Sequence, residues 1–148
     1  MMTRQPLPVT DEGFENTALA AAVLDGDADR VRRALADGGD ANEQFTNSQS
    51  ILQLALYHGF ADIVEVLLAA GARVPQDVLE PLGDVDITDW KITSKEKEAE
   101  YAKAASLLID RGASPNVIAY NGKPLIESFS AHYYPQIHAV LRKAIDGF

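Results

Sequence analysis

Four glycines recur at a fixed distance in the first half of the chain, and they constrain its fold more than any other feature. Gly59 follows Gly26 by 33 positions, and Gly71 follows Gly38 by the same 33. Each lies in a stretch of helix-forming residues, ENTALAAAVLDGDADRVRRALADGGDAN and then SQSILQLALYHGFADIVEVLLAAGARVP. Glycine costs about 1 kcal/mol against alanine inside a helix, so each glycine marks a place where a helix has to stop. The apolar positions superimpose at the same offset. Leu19, Ala22, Val31, Ala34 and Leu35 of the first copy match Leu52, Ala55, Val64, Leu67 and Leu68 of the second, at helical spacing. Each copy therefore reads as a short helix ending near its first glycine and a second helix ending at the next. The chain can turn there through left-handed conformations.

Two further copies follow. The third ends in SLLIDRGASPN, with Gly112 41 positions after Gly71, which implies an insertion of about eight residues against the 33-residue period. The fourth begins at Asn121-Gly122-Lys123-Pro124-Leu125-Ile126 and closes with Pro135 to Leu141. Tyr133 stands where the mid-repeat glycine would be, and Arg142 falls where Leu35 and Leu68 point inward. A charge at an inward position marks the fourth copy as a carboxy-terminal cap.

Period and order resemble the ankyrin repeat, a turn plus two antiparallel helices every 33 residues with a T-P-L-H-x-A signature. Here the signature is degraded to Thr17-Ala18-Leu19-Ala20-Ala21-Ala22 and Ser50-Ile51-Leu52-Gln53-Leu54-Ala55. The hydroxyl residue that caps the helix is kept, with the leucine and the small alanine that pack inward. The G-A-D-V-N ending survives as Gly38-Gly39-Asp40-Ala41-Asn42 and as Gly71-Ala72-Arg73-Val74, with Pro75 replacing the asparagine. The fold implied is an all-α solenoid of stacked antiparallel helix pairs. Its repeats span about 15–42, 43–74, 75–115 and 116–148, with residues 1–14 a leader expected to carry little fixed structure.

Residues 75–111 depart from the pattern. Pro75 to Leu82 reads as a short helix with Val78, Leu79 and Leu82 facing inward, so the finger between repeats two and three is expected to be missing or shortened. The acidic loop that follows carries Asp84, Asp86, Asp89 and the only tryptophan, Trp90. Thr93-Ser94-Lys95-Glu96 resembles a capping box opening a long second helix to Arg111, on the order of 26 Å and about two turns longer than its neighbours need.

Composition bounds the function. With 13 basic and 22 acidic residues the formal charge is −9, a sign that repels phosphate and anionic lipid, so neither nucleic acid nor membrane is expected as a partner. Acidity equally serves solubility, or steers a basic protein partner. No cysteine is present, which removes disulfides, thiolate nucleophiles and thiolate zinc sites. No run approaches the roughly 18 apolar residues of a membrane span, and the amino terminus has no apolar signal core, so a cytoplasmic location is expected. Asp84-x-Asp86-x-Thr88 resembles a calcium loop, but Asp89 and Lys95 occupy the positions that need glycine and glutamate. His58, His132 and His138 have no metal spacing, and there is no nucleophile elbow, phosphate loop or H-E-x-x-H. No cofactor, metal, small-molecule substrate or catalysis is expected.

The resemblance implies protein binding along a concave face of finger tips and first helices. Carried over by position, that face takes Leu24 and Asp25 from repeat one. Repeat two gives Gln44, Thr46, Asn47, Gln49, Tyr57 and His58; repeat four gives Tyr120, Asn121, Lys123, Ala131 and His132. Tyrosine is enriched at interface hot spots, yet Tyr57 packing on a neighbouring repeat is an equal reading. Trp90 reads either as an anchor for a basic partner, ringed by Asp84, Asp86 and Asp89, or as an indole tucked over Leu82 or Tyr101. Three roles are open: a binding module for one protein, an immunity or antitoxin-like inhibitor of a basic bacterial toxin, and a homo-oligomeric assembly or scaffold protein.

Overall fold

The computed structural model describes residues 17–46, 49–84, 94–119 and 122–147. Six α-helices appear among them: α1 (Ala18–Leu24), α2 (Ala28–Ala36), α3 (Ile51–Tyr57), α4 (Ala61–Ala69), α5 (Lys95–Ile109) and α6 (Pro135–Asp146). Two 3-10 helices, Glu80–Asp84 and Leu125–Ser128, and a small hairpin of β1 (Gln44–Thr46) and β2 (Gln49–Ser50) complete the order. α2, α4, α5 and α6 pack in succession as an outer row. α1, α3 and the two 3-10 helices do the same as an inner row. α1 lies against α2, α3 against α4 and α5, and the 3-10 helix at 125–128 against α6, and one apolar core runs along the stack.

The helices start and stop for local reasons. Thr17 Oγ1 accepts from the Ala20 N–H at 3.0 Å. Ser50 and Gln53 form a reciprocal capping box at α3. Gly26 and Gly59 end the inner helices at φ 69° and 71°, a backbone that L side chains rarely adopt. A second reason for glycine appears at the same positions. A Cβ on Gly26 would lie 3.0 Å from Phe60 Cζ, and one on Gly59 would lie 2.7 Å from Tyr101 Cε2. Phe60 and Tyr101 are equivalent positions of successive repeats once the insertion is counted, so each ring seats on the turn of the repeat before it. Tyr134, the next equivalent, is buried edge-on against Phe129 with centroids 5.4 Å apart. In repeat one the position is Asp27, which instead caps α2 by accepting from the Arg30 N–H at 3.2 Å.

Three local expectations are corrected. Residues 76–79 form turns leading into the 3-10 helix at 80–84, in place of a short α-helix from Pro75. Their hydrogen bonds run from Val78 to Pro75, Glu80 to Asp77 and Leu82 to Leu79, all of the tight three-residue kind. Pro81 has no N–H and its ring would strike the carbonyl four residues back, so an α-helix cannot run through it. Val78, Leu79 and Leu82 are nevertheless fully buried, and no paired strand forms at 71–79, in keeping with a missing finger. The cap of α5 is Ser94, whose side chain accepts from the Lys97 N–H at 3.0 Å. With lysine rather than glutamate at the third position, the reciprocal half of the box proposed for Thr93 and Glu96 is absent. Finally, α5 ends at Ile109, 15 residues long, rather than at Arg111.

In helix register Ala102 is the equivalent of Ala61, which opens α4, so residues 95–101 are an amino-terminal extension of two turns. The extension runs straight through Glu100, where repeats one and two have their mid-repeat glycine. The first helix of repeat four is likewise reduced to the 3-10 helix at 125–128. Arg142 is exposed and pairs with Asp146 at 3.8 Å.

Candidate partner-binding surface

The sequence-derived candidates fall at two kinds of place, the ends of the inner elements and the fingers. Asp25 and His58 are equivalent residues just past α1 and α3. Asp25 is exposed and bridges to Arg30 at 2.5 Å, an exposed pair of small energetic weight. Tyr57 and His58 are both half-buried, with rings edge to face at 5.3 Å, and His58 stacks on Phe60 at 5.5 Å and 20°.

The backbone beneath that pair is held from the next repeat. Tyr101 Oη donates to the Tyr57 carbonyl at 2.7 Å, and Lys97 Nζ donates to the His58 carbonyl at 2.7 Å. The Lys97 ammonium also lies 5.0 Å from the Phe60 ring centroid and 5.5 Å from that of Tyr101, within reach of the negative ring faces. Both donors lie on the α5 extension. Their role was not read from the sequence, although the 41-residue step that relates Gly71 to Gly112 also relates Phe60 to Tyr101.

Gln44 is exposed on β1, and its side-chain amide donates to the Thr46 carbonyl at 3.2 Å. Together with Asn42, Ser50, Leu52, Arg73 and Pro75 it borders a recess of about 210 Å³ between the finger and the end of repeat two. Asn42 closes one side of it, accepting from the Arg73 N–H at 2.7 Å. Repeat two has Pro75 at the equivalent position and cannot make that clasp. Within repeat three, a backbone bond from the Ser114 N–H to the Gln76 carbonyl, 2.9 Å, ties the end of the repeat back to its start.

Lys123 is exposed beside the isolated bridge between Ile118 and Pro124. His132 is exposed, its ring edge to face with Tyr133 at 4.6 Å. Tyr133 is 68% exposed and was read from the sequence only as a glycine replacement. The turn carrying both rings is pinned by Ser130, whose carbonyl accepts from the Tyr134 N–H at 2.8 Å and whose hydroxyl accepts from the Tyr133 N–H at 3.4 Å. Asn47, Asp86, Asp89, Trp90, Tyr120 and Asn121 lie outside the described residues, as do the side chain of Asp84 and the leader.

No group of three or more His, Asp or Glu side chains among the described residues could hold a metal ion. His138 is tied to the fold through Nδ1, which donates to the Phe129 carbonyl at 2.9 Å. No helix among the described residues is long and apolar enough to cross a membrane.

A family model for ankyrin repeats, three copies, matches residues 4–77, half of the chain. The chain belongs to the ankyrin repeat family. The match begins inside the segment set apart above as a leader and ends within the turns that replace the third inner helix. No curated protein is similar enough to this ankyrin chain to count as a match. Ankyrin repeats generally mediate protein–protein interaction, and the family is generally non-catalytic.

Proposed function

We propose that this chain is a non-catalytic, cytoplasmic binding module that grips one protein partner through its concave face and the loop at 84–91. The observation that carries the reading is the Tyr57–His58 pair. Two aromatic rings stand half-buried at the end of an inner helix, over carbonyls fixed by Tyr101 and Lys97. Contact residues held this way lose little entropy on docking. The formal charge of −9 favours a basic partner through electrostatic steering. A basic toxin held by an immunity-type inhibitor is the sharper form of the same reading. Self-assembly is the competing one, favoured by the exposed Leu24, Ile118 and Tyr133.

The test is a double variant, Tyr57→Ala with Trp90→Ala, in capture experiments from the native host. Loss of the captured protein with a nearly unchanged thermal midpoint supports the reading. A large fall in the midpoint means that the rings are core and removes them from the site. Light scattering that finds a salt-insensitive dimer replaces the binding module with the assembly role.

A further inference from the structure

We infer that the two-turn extension of α5 couples the Tyr57–His58 turn of repeat two to the last repeat, so that a disturbance at one is felt at the other. Seven residues, 95–101, touch both. Toward repeat two, Lys97 and Tyr101 hold the His58 and Tyr57 carbonyls, and the Tyr101 ring fills the space that a Cβ on Gly59 would occupy. Toward repeat four, Glu98, only 3% exposed, turns its carboxylate onto the start of α6. Its Oε2 accepts from the Gln136 N–H at 2.6 Å and the Ile137 N–H at 2.9 Å, and Oε1 accepts from the Gln136 side chain at 3.2 Å. The Gln136 amide group also donates to the Lys95 carbonyl at 3.1 Å.

α6 has no side-chain cap of its own, since Tyr134 at the capping position makes no such bond. The first N–H groups of a helix find no partner within it, and here α5 supplies one. Glu98 lies three residues, less than one turn, before Tyr101. If Tyr101 leaves its seat on Gly59, the extension shifts as a unit and the carboxylate leaves α6 with it. Docked and undocked extension are the two states that both ends bias, and the coupling is reciprocal. The coupling does not depend on which partner, if any, contacts Tyr57 and His58.

Amide hydrogen exchange on the full chain tests it. Gly59→Ala drives a Cβ against the Tyr101 ring, and exchange at the Gln136 and Ile137 amides should rise by a factor of about 5 to 150, the usual range of coupling between sites. Gly26→Ala is the control. It imposes a similar left-handed strain and meets the Phe60 ring, but no extension leads from there to α6, so the same two amides should stay protected. Lys97→Met, which removes the donor to His58 without burdening a turn, should act like Gly59→Ala with smaller effect and serves if that variant does not fold. In the reverse direction, Glu98→Gln should raise exchange at the Phe60 N–H, which is bonded to the Ala55 carbonyl. Unchanged protection at 136 and 137 in both Gly59→Ala and Lys97→Met overturns the inference, as does an equal rise in Gly26→Ala.

Discussion

Glu98 shows how far a single residue departs from what its sequence context suggests. In KEKEAEY it is one charge among several at the start of a helix, yet it is buried, with three N–H groups converging on its carboxylate. A buried carboxylate is tolerated only when its oxygens are bonded, and here the positive end of the α6 dipole adds to that stabilisation. Glu98→Ala leaves the buried Ile137 N–H and the part-buried Gln136 N–H without an acceptor, and should lower stability by about 1 to 3 kcal/mol in urea titration. Glu98→Gln, which keeps one acceptor oxygen, should cost less. Equal stability of wild type and Glu98→Ala would mean that the cap contributes nothing. No residue type or spacing announced this contact, because the partner amides lie 38 and 39 positions away in a different repeat.

At the scale of the element, the boundaries written in the sequence are those made by local chemistry. The glycines at 26, 38, 59, 71 and 112 all take positive φ, and Thr17 and Ser50 cap the helices they precede. Ser50→Ala removes the acceptor for the Gln53 N–H and half of the capping box, and should cost about 1 kcal/mol by chemical denaturation. A value near zero would show that Gln53 alone secures the start of α3. What was not legible is the replacement of an inner α-helix by 3-10 turns at 76–84. Burial of Val78, Leu79 and Leu82 followed from their spacing, which several tight helical turns share, whereas Pro81 decides between them by sterics. The two-turn excess of α5 over its neighbours was legible from the insertion, though its end at Ile109 was not, and its purpose was not, since Lys97 and Tyr101 act on backbone carbonyls that carry no side-chain signature. The candidate surface was legible only as positions. Pinning of the Tyr57–His58 backbone and exposure of Tyr133 are tertiary facts.

For the whole molecule, the question is whether the repeats unfold together or one at a time. A solenoid is held by nearest-neighbour contacts, so a weak interface lets it come apart in pieces. Two features here oppose that. The core is continuous from Leu19 to Leu141, and the α5 extension bonds to repeat two on one side and repeat four on the other. Leu67→Ala is placed to test them. Leu67 is fully buried on α4, in the middle of the outer row between α2 and α5. Its truncation should leave a cavity costing about 2 to 5 kcal/mol, the higher end if the rigid neighbours cannot collapse into it. Despite that weak point in the middle, calorimetry should show one transition with calorimetric and van't Hoff enthalpies in agreement. Two resolved transitions in Leu67→Ala would show that repeats one and two separate from three and four, and that the bonds of the extension are too weak to hold the halves as one cooperative unit. Adding Glu98→Gln to Leu67→Ala distinguishes the two sources of cohesion. If the extension matters, the double variant should split into two transitions, with α6 melting first, where Leu67→Ala alone does not.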